Sequence, residues 1–262
     1  MKLWMRRICL MATLLLPACA PSGAEAGQAA PAQAAAVHAP QAGEAAAAEA
    51  LGRLGIPLQR DPQGVVRWIE AAEGQFTDEA LAHLPALGSL EWLEIGGGGV
   101  TPAGLAHLKH STALRRLYLH DIDLGGDPLA WLSGLPNLEA LALQRTGTDG
   151  AALRHLAAKS LTVLNLSGNP VGDAAMEAVA RIQQLEVLAL TDTKVTGAGI
   201  VHLEGMPRLN ELNIMRCAVG DGDVESFLSM PNLRIVYAEG TPIGDMAVYR
   251  IVQRFPMLAI FR

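Results

Sequence analysis

Cysteine is scarce in this chain: three residues in 262, at Cys9, Cys19 and Cys217, too few for a disulfide framework. Aromatic residues make up only 4%, so a core has to be built from Leu, Ile, Val, Ala and Met. No basic block occurs after residue 7 and the formal net charge is −6, which argues against nucleic acid as a partner. Nucleophile-elbow, phosphate-loop, dinucleotide and HExxH patterns are also missing. The stretch IGGGGVT (95–101) is rich in glycine, but its spacing does not suit a phosphate; it reads as the turn after a strand. The expectation is a chain that catalyses nothing and needs no cofactor or metal.

What is present begins with an export leader. Lys2, Arg6 and Arg7 precede the apolar run ICLMATLLL, a positive n-region and an h-region too short to span a bilayer. The following LLPACAPSG resembles a bacterial lipobox, with Leu16, Ala18 and Cys19 at the expected places and Pro17 as a departure. That resemblance implies a signal peptide over 1–18, lipidation of Cys19 and a membrane reached through the anchor, with Ala20 favouring the outer membrane on its periplasmic or surface face. A rival fits the same letters: the small-x-small ACA would give cleavage after Ala20 and a soluble periplasmic product. Loss of the leader before Cys19 removes three cations and takes the charge to −9. Residues 19–43 are dominated by Ala, Pro, Gly and Gln and read as a disordered tether, because they cannot bury enough apolar surface to offset ordering.

Residues 44–65 read as an N-terminal cap: EAAAAEALGRLG as a helix stopped at Gly55, then two short apolar runs around the turn Asp61-Pro62-Gln63-Gly64. From 66 to 262 the chain repeats. Leu90, Leu114, Leu138, Leu161, Leu185, Leu209 and Leu233 open successive copies at intervals of 24, 24, 23, 24, 24 and 24 residues. Six of these copies begin L-x-x-L-x-[LI], as in LEWLEI and LEVLAL, with LRIVYA the weakest and VRWIEA an earlier degenerate copy. Alternation by two sends the leucines to one face of a short strand. The second block of each copy, such as VGDAAMEAVARI, has helical spacing behind a polar residue suited to capping. One strand and one helix enclose no core alone, but stacked copies share a continuous one.

The period and letters resemble bacterial leucine-rich repeats of the type L-x-x-L-x-L-x-x-T-x-V-T-D-A-G-L. The resemblance implies an α/β solenoid with a concave parallel sheet, convex helices and a binding role. It also implies that Thr146, Asn169, Thr193, Cys217 and Thr241 turn inward to hydrogen-bond turn backbone. Cys217 is then structural. In GDGDVE (220–225), Asp221, Asp223 and Glu225 alternate like a calcium loop. Helix capping is the favoured account, since Asp149, Asp173, Asp221 and Asp245 share one slot. His83, His107, His155 and His202 also recur at one position, where a solvated surface is favoured over zinc because nothing completes a ligand set.

The outward strand positions single out the first copies: Trp68 and Glu70, Trp92 and Glu94, then Arg116, Tyr118 and His120. Trp68, Trp92 and Arg116 are 24 residues apart and should stack as neighbours. Trp, Tyr and Arg dominate interface energetics, so these seven residues are the candidate ligand-binding set. The expected ligand is a protein or peptide held on the concave face. A glycan or cell-wall polymer stacked on the two indoles, and a soluble repeat adaptor, are the alternatives.

Overall fold

The computed structural model describes residues 42–125, 129–156 and 161–262. The leader, Cys19 and the tether as far as residue 41 lie outside the described residues. The chain opens with helix α1 (Ala42–Arg53), which buries Ala47, Ala48 and Leu51 against the first repeats. Gly55 (φ +76°) ends it. Strand β1 (Gln59–Arg60) then pairs antiparallel with β2 (Val66–Glu70). The connection is an Asx turn, in which the Asp61 Oδ1 accepts from the Gln63 and Val65 amides at 3.0 and 2.9 Å.

Every later strand is parallel to its neighbour. The ten-stranded sheet runs in sequence order through β3 (Trp92–Gly96), β4 (Arg116–His120), β5 (Ala140–Gln144), β6 (Val163–Asn165), β7 (Val187–Ala189), β8 (Glu211–Asn213), β9 (Ile235–Tyr237) and β10 (Ala259–Phe261). Each residue pairs with the one 24 positions on, or 23 at Ala140↔Val163. The alternating leucines explain the sheet. Leu93, Ile95, Leu117, Leu119, Leu141, Leu143, Leu164, Leu188 and Leu212 are fully buried on the inner face, each contributing about 2 kcal/mol.

The opposite side carries the helical segments: α2 (Asp78–His83), α3 (Pro102–Leu105), α4 (Asp173–Ala180), α5 (Gly197–Val201) and α6 (Asp245–Arg254). The letters lead to helices in the copies other than the third, where DIDLGGDPLAWL replaces the helix-opening signal. Several copies instead use tight 3-10 turns, at Ala106–His110, Ala130–Gly134, Ala151–Leu156 and Val224–Ser229. A 24-residue copy spends about half its length on strand and turn, and the short remainder closes more readily as i→i+3 turns.

Three kinds of contact fix one rung on the next. Inside, Asn169 is buried and its Oδ1 accepts from the Thr146 and Thr148 amides at 3.0 and 3.1 Å, while Nδ2 donates to the carbonyls of Leu143 and Leu166. Cys217 sits at the same place one copy beyond Thr193 and donates its thiol to the Leu190 carbonyl at 3.0 Å. On the helix side, Asp78 accepts from both the amide and hydroxyl of Thr101. Asp173 does the same to Thr196, and the Asp221 carboxylate accepts from the Gly244 amide. Capping of the residue's own helix, expected for the whole aspartate slot, is found at Asp149, which accepts from the Ala152 amide. Asp173 is the first residue of its own helix, behind the N-cap Gly172, and both it and Asp221 serve the next rung.

The third contact follows the strands. Gly97, Asp121, Arg145, Gly168, Asp192, Arg216 and Gly240 each leave their strand with φ between +52° and +73°. The four non-glycine residues with positive φ among the described residues all stand in this one column. Left-handed backbone costs such residues about 1 kcal/mol. Here two-pronged pairs oppose that cost, Arg145 on Asp121 and Arg216 on Asp192, each with Nε to Oδ1 at 2.6 Å. Glycine follows each arginine by necessity. A Cβ on Gly168 would lie 2.6 Å from the Arg145 Cγ, and one on Gly240 2.9 Å from that of Arg216.

Candidate functional site

The strand registers place the seven candidate residues in three adjoining columns on the outward face of β2, β3 and β4. Trp68, Trp92 and Arg116 form the first, Glu70, Glu94 and Tyr118 the second, and Gly96 with His120 the third. Trp68 is 39% exposed and Trp92 is half-buried. The Arg116 guanidinium lies 5.6 Å from the Trp92 ring centroid, within cation–π range. Tyr118 is buried, its ring tilted at 41° to Trp92 with centroids 5.5 Å apart. It supports Trp92 from beneath and offers little surface of its own.

His120 depends on a missing side chain. A Cβ on Gly96 would fall 2.0 Å from the His120 Cε1, so only glycine lets the imidazole lie across β3. There its Nδ1 is 3.1 Å from the Asp121 carboxylate and its Nε2 is 4.0 Å from that of Glu94. The Arg145 guanidinium, more than the imidazole, holds the Asp121 carboxyl down at about 2. Burial pushes the Glu94 carboxyl up, and the facing Glu70 adds to the rise while His120 opposes it.

Beside the aromatic row runs a shallow cleft of about 200 Å³, lined by Trp68, Glu91, Trp92, Arg115 and Arg116. Its outer charges are paired: Arg67 with Asp61 and Glu91 at 3.0 and 2.7 Å, and Arg115 with Glu139. The indole Nε1 of Trp92 is buried and has no hydrogen-bond partner among the described residues.

Cys217 and the carboxylates of GDGDVE are accounted for by protein contacts. Burial raises the Cys217 thiol above its ordinary pKa, the opposite of what a nucleophile needs. The three carboxylates of GDGDVE point to separate partners: Asp221 to Gly244, Asp223 to the Gly220 amide at 2.8 Å, and Glu225 to Arg254 at 3.1 Å. Among the described residues no three His, Cys, Asp or Glu side chains are placed to share a metal ion, and no helix is long and apolar enough to cross a membrane.

One surface escaped sequence reasoning. Met246, Tyr249, Phe255, Met257 and Phe261 are all exposed at the C-terminal end, with Phe261 stacked on Tyr237 at 5.4 Å. The signal was present in GDMAVYRIVQRFPML, which puts Met246 where earlier copies carry Gly222 and Ala198, and Tyr249 where they carry Glu225 and Glu177.

Stacked 24-residue strand–turn–helix units with an aromatic patch on the strand face define a leucine-rich repeat solenoid. A leucine-rich repeat family profile matches residues 157–180. Among solved structures, the chain is similar to internalin C2 of Listeria monocytogenes, with 22% identity and a TM-score of 0.56 over 74% of this chain and 80% of that one. A leucine-rich repeat protein of Leptospira interrogans aligns at 19% identity and a TM-score of 0.49, over 69% and 51%. No curated protein matches the chain. The shared property is the fold.

Proposed function

We propose that this chain is a non-catalytic docking protein, which holds a protein or peptide partner on the strand face around Trp68 and Trp92. The observation that carries this reading is the row itself. A 39% exposed indole stands in register with a second indole that is already braced by Arg116 and Tyr118. Solvation alone gives no reason for such an arrangement, whereas rigid, partly desolvated aromatic residues make interface anchors.

Trp68→Ala tests this in the full chain. Because the ring is exposed, circular dichroism and the unfolding midpoint should be unchanged. Crosslinking capture of the partner from the cell envelope should weaken roughly 30-fold, the loss of about 2 kcal/mol typical of an anchor residue. Undiminished capture would put the binding surface elsewhere. Capture of peptidoglycan or an oligosaccharide in place of a protein would favour stacking of sugars on the same indoles.

We also infer that Cys19 is the lipidated residue behind a cleaved signal peptide, which would tether the chain to a membrane surface. The support is the leader and lipobox-like sequence, followed by a spacer that gives reach. A Cys19→Ser form should move from the membrane to the soluble fraction, and the wild type should carry the mass of its acyl chains. A wild-type product cleaved after Ala20 with no added mass would establish the soluble periplasmic alternative.

A further inference from the structure

The charges around the aromatic row are distributed unevenly, and the imbalance has a direction. The outer line of the cleft cancels in pairs, Arg67 with Glu91 and Arg115 with Glu139. Asp121 is taken up by Arg145. What remains between the indoles and His120 is the pair Glu70 and Glu94, directly opposite each other on β2 and β3. Like charges facing across paired strands repel. Glu70 is exposed and makes no hydrogen bond or ion pair among the described residues. Glu94 is half-buried, with the His120 Nε2 at 4.0 Å, and the other nitrogen of that ring faces Asp121.

We propose that the strand-face site takes a peptide segment that presents a lysine or arginine beside an apolar side chain, with the cation between Glu70 and Glu94 and the apolar group on Trp68. This rests on the reading of the strand face as the docking surface. A cation placed there relieves the repulsion between the two carboxylates and gives Glu70 a partner. The exposed ring of Trp68 lies two residues before Glu70 on the same strand, so both point to one side. Arg116 sits beyond Trp92 in the first column, which directs an incoming cation toward the glutamate end of the patch. An acidic segment would meet the two carboxylates and lose contact energy instead.

The test uses the full chain and three labelled, end-blocked peptides of alternating composition: lysine–leucine, serine–leucine and glutamate–leucine. Fluorescence anisotropy at low and physiological salt gives the affinities. The lysine–leucine peptide should bind at least about tenfold more tightly than the other two and weaken as salt rises. Glu70→Gln and Glu94→Gln should each lower its affinity about fivefold to tenfold with the circular dichroism unchanged, while Glu177→Gln, an exposed glutamate on α4, should do nothing. Trp68→Ala should weaken all binding.

Equal binding of the three peptides, no binding of any, or no effect of either glutamine variant would overturn the cation proposal. If the peptides bind alike and Trp68→Ala still weakens them, the docking surface survives and its charge preference does not. If lysine–leucine binds and only Trp68→Ala is without effect, the cation seat on Glu70 and Glu94 survives and the seating of the apolar group on Trp68 is overturned.

Discussion

Asn169→Ala should lower the unfolding free energy by about 4 kcal/mol, the largest loss expected from any single side chain outside the hydrophobic core. The amide of Asn169 serves both sides of a rung boundary. Its oxygen takes the Thr146 and Thr148 amides, and its nitrogen feeds the carbonyls of Leu143 and Leu166. Alanine leaves four buried backbone groups without that partner, each costing about 1–3 kcal/mol before relaxation. Asn169→Asp keeps the acceptor but turns a buried carboxylate toward the Leu143 and Leu166 carbonyls, so it should cost at least as much as alanine. Urea unfolding followed by circular dichroism gives the numbers. A loss below about 1 kcal/mol would mean that the turn satisfies itself by other means.

Gly134→Ala should cost about 3 kcal/mol for a different reason. A Cβ at this position would lie 2.0 Å from the Lys109 carbonyl oxygen and 2.7 Å from two further backbone atoms of that residue. Backbone cannot rotate aside as a side chain does, so the turns at Ala106–His110 and Ala130–Gly134 would have to part. Gly88→Ala is the control, since nothing lies within 4 Å of its Cβ and its φ is not in the left-handed range. Its midpoint should stay within the scatter of the wild type. Equal behaviour of the two variants would show that the rungs are packed more loosely than their backbone distance implies.

The sheet was legible because one periodicity controls two things at once. The spacing of Leu93, Leu117 and Leu141 sets both the burial pattern and the register, so the columns Trp68–Trp92–Arg116 and Glu70–Glu94–Tyr118 could be read before any coordinates. The helix side was less legible. Its short segments lie near the balance between α and 3-10 turns, and the deciding contacts come from the neighbouring rung. The aspartate slot shows the same limit: Asp149 caps its own turn, whereas Asp173 reaches across to Thr196. The burial of Tyr118 under Trp92 and the folding of His120 over Gly96 depend on side-chain direction, which spacing does not specify. Nor could spacing reveal that Arg67, Arg115 and Arg145 would cancel their nearest acids, leaving the Glu70–Glu94 pair exposed as an imbalance.

The column of left-handed residues reads Gly, Asp, Arg, Gly, Asp, Arg, Gly from residue 97 to 240. Its unit is therefore three rungs, although the leucines repeat every rung. This sets a grammar for how such a chain changes length. Removing the single rung that carries Arg145 would bring Asp121 beside Gly168 and abolish the clasp. Removing the three rungs that carry Arg145, Gly168 and Asp192 would bring Asp121 beside Arg216 and rebuild it, with Gly97 before the clasp and Gly240 after it. Inheritance by whole triplets conserves the seam, and growth or shrinkage by single copies frays it.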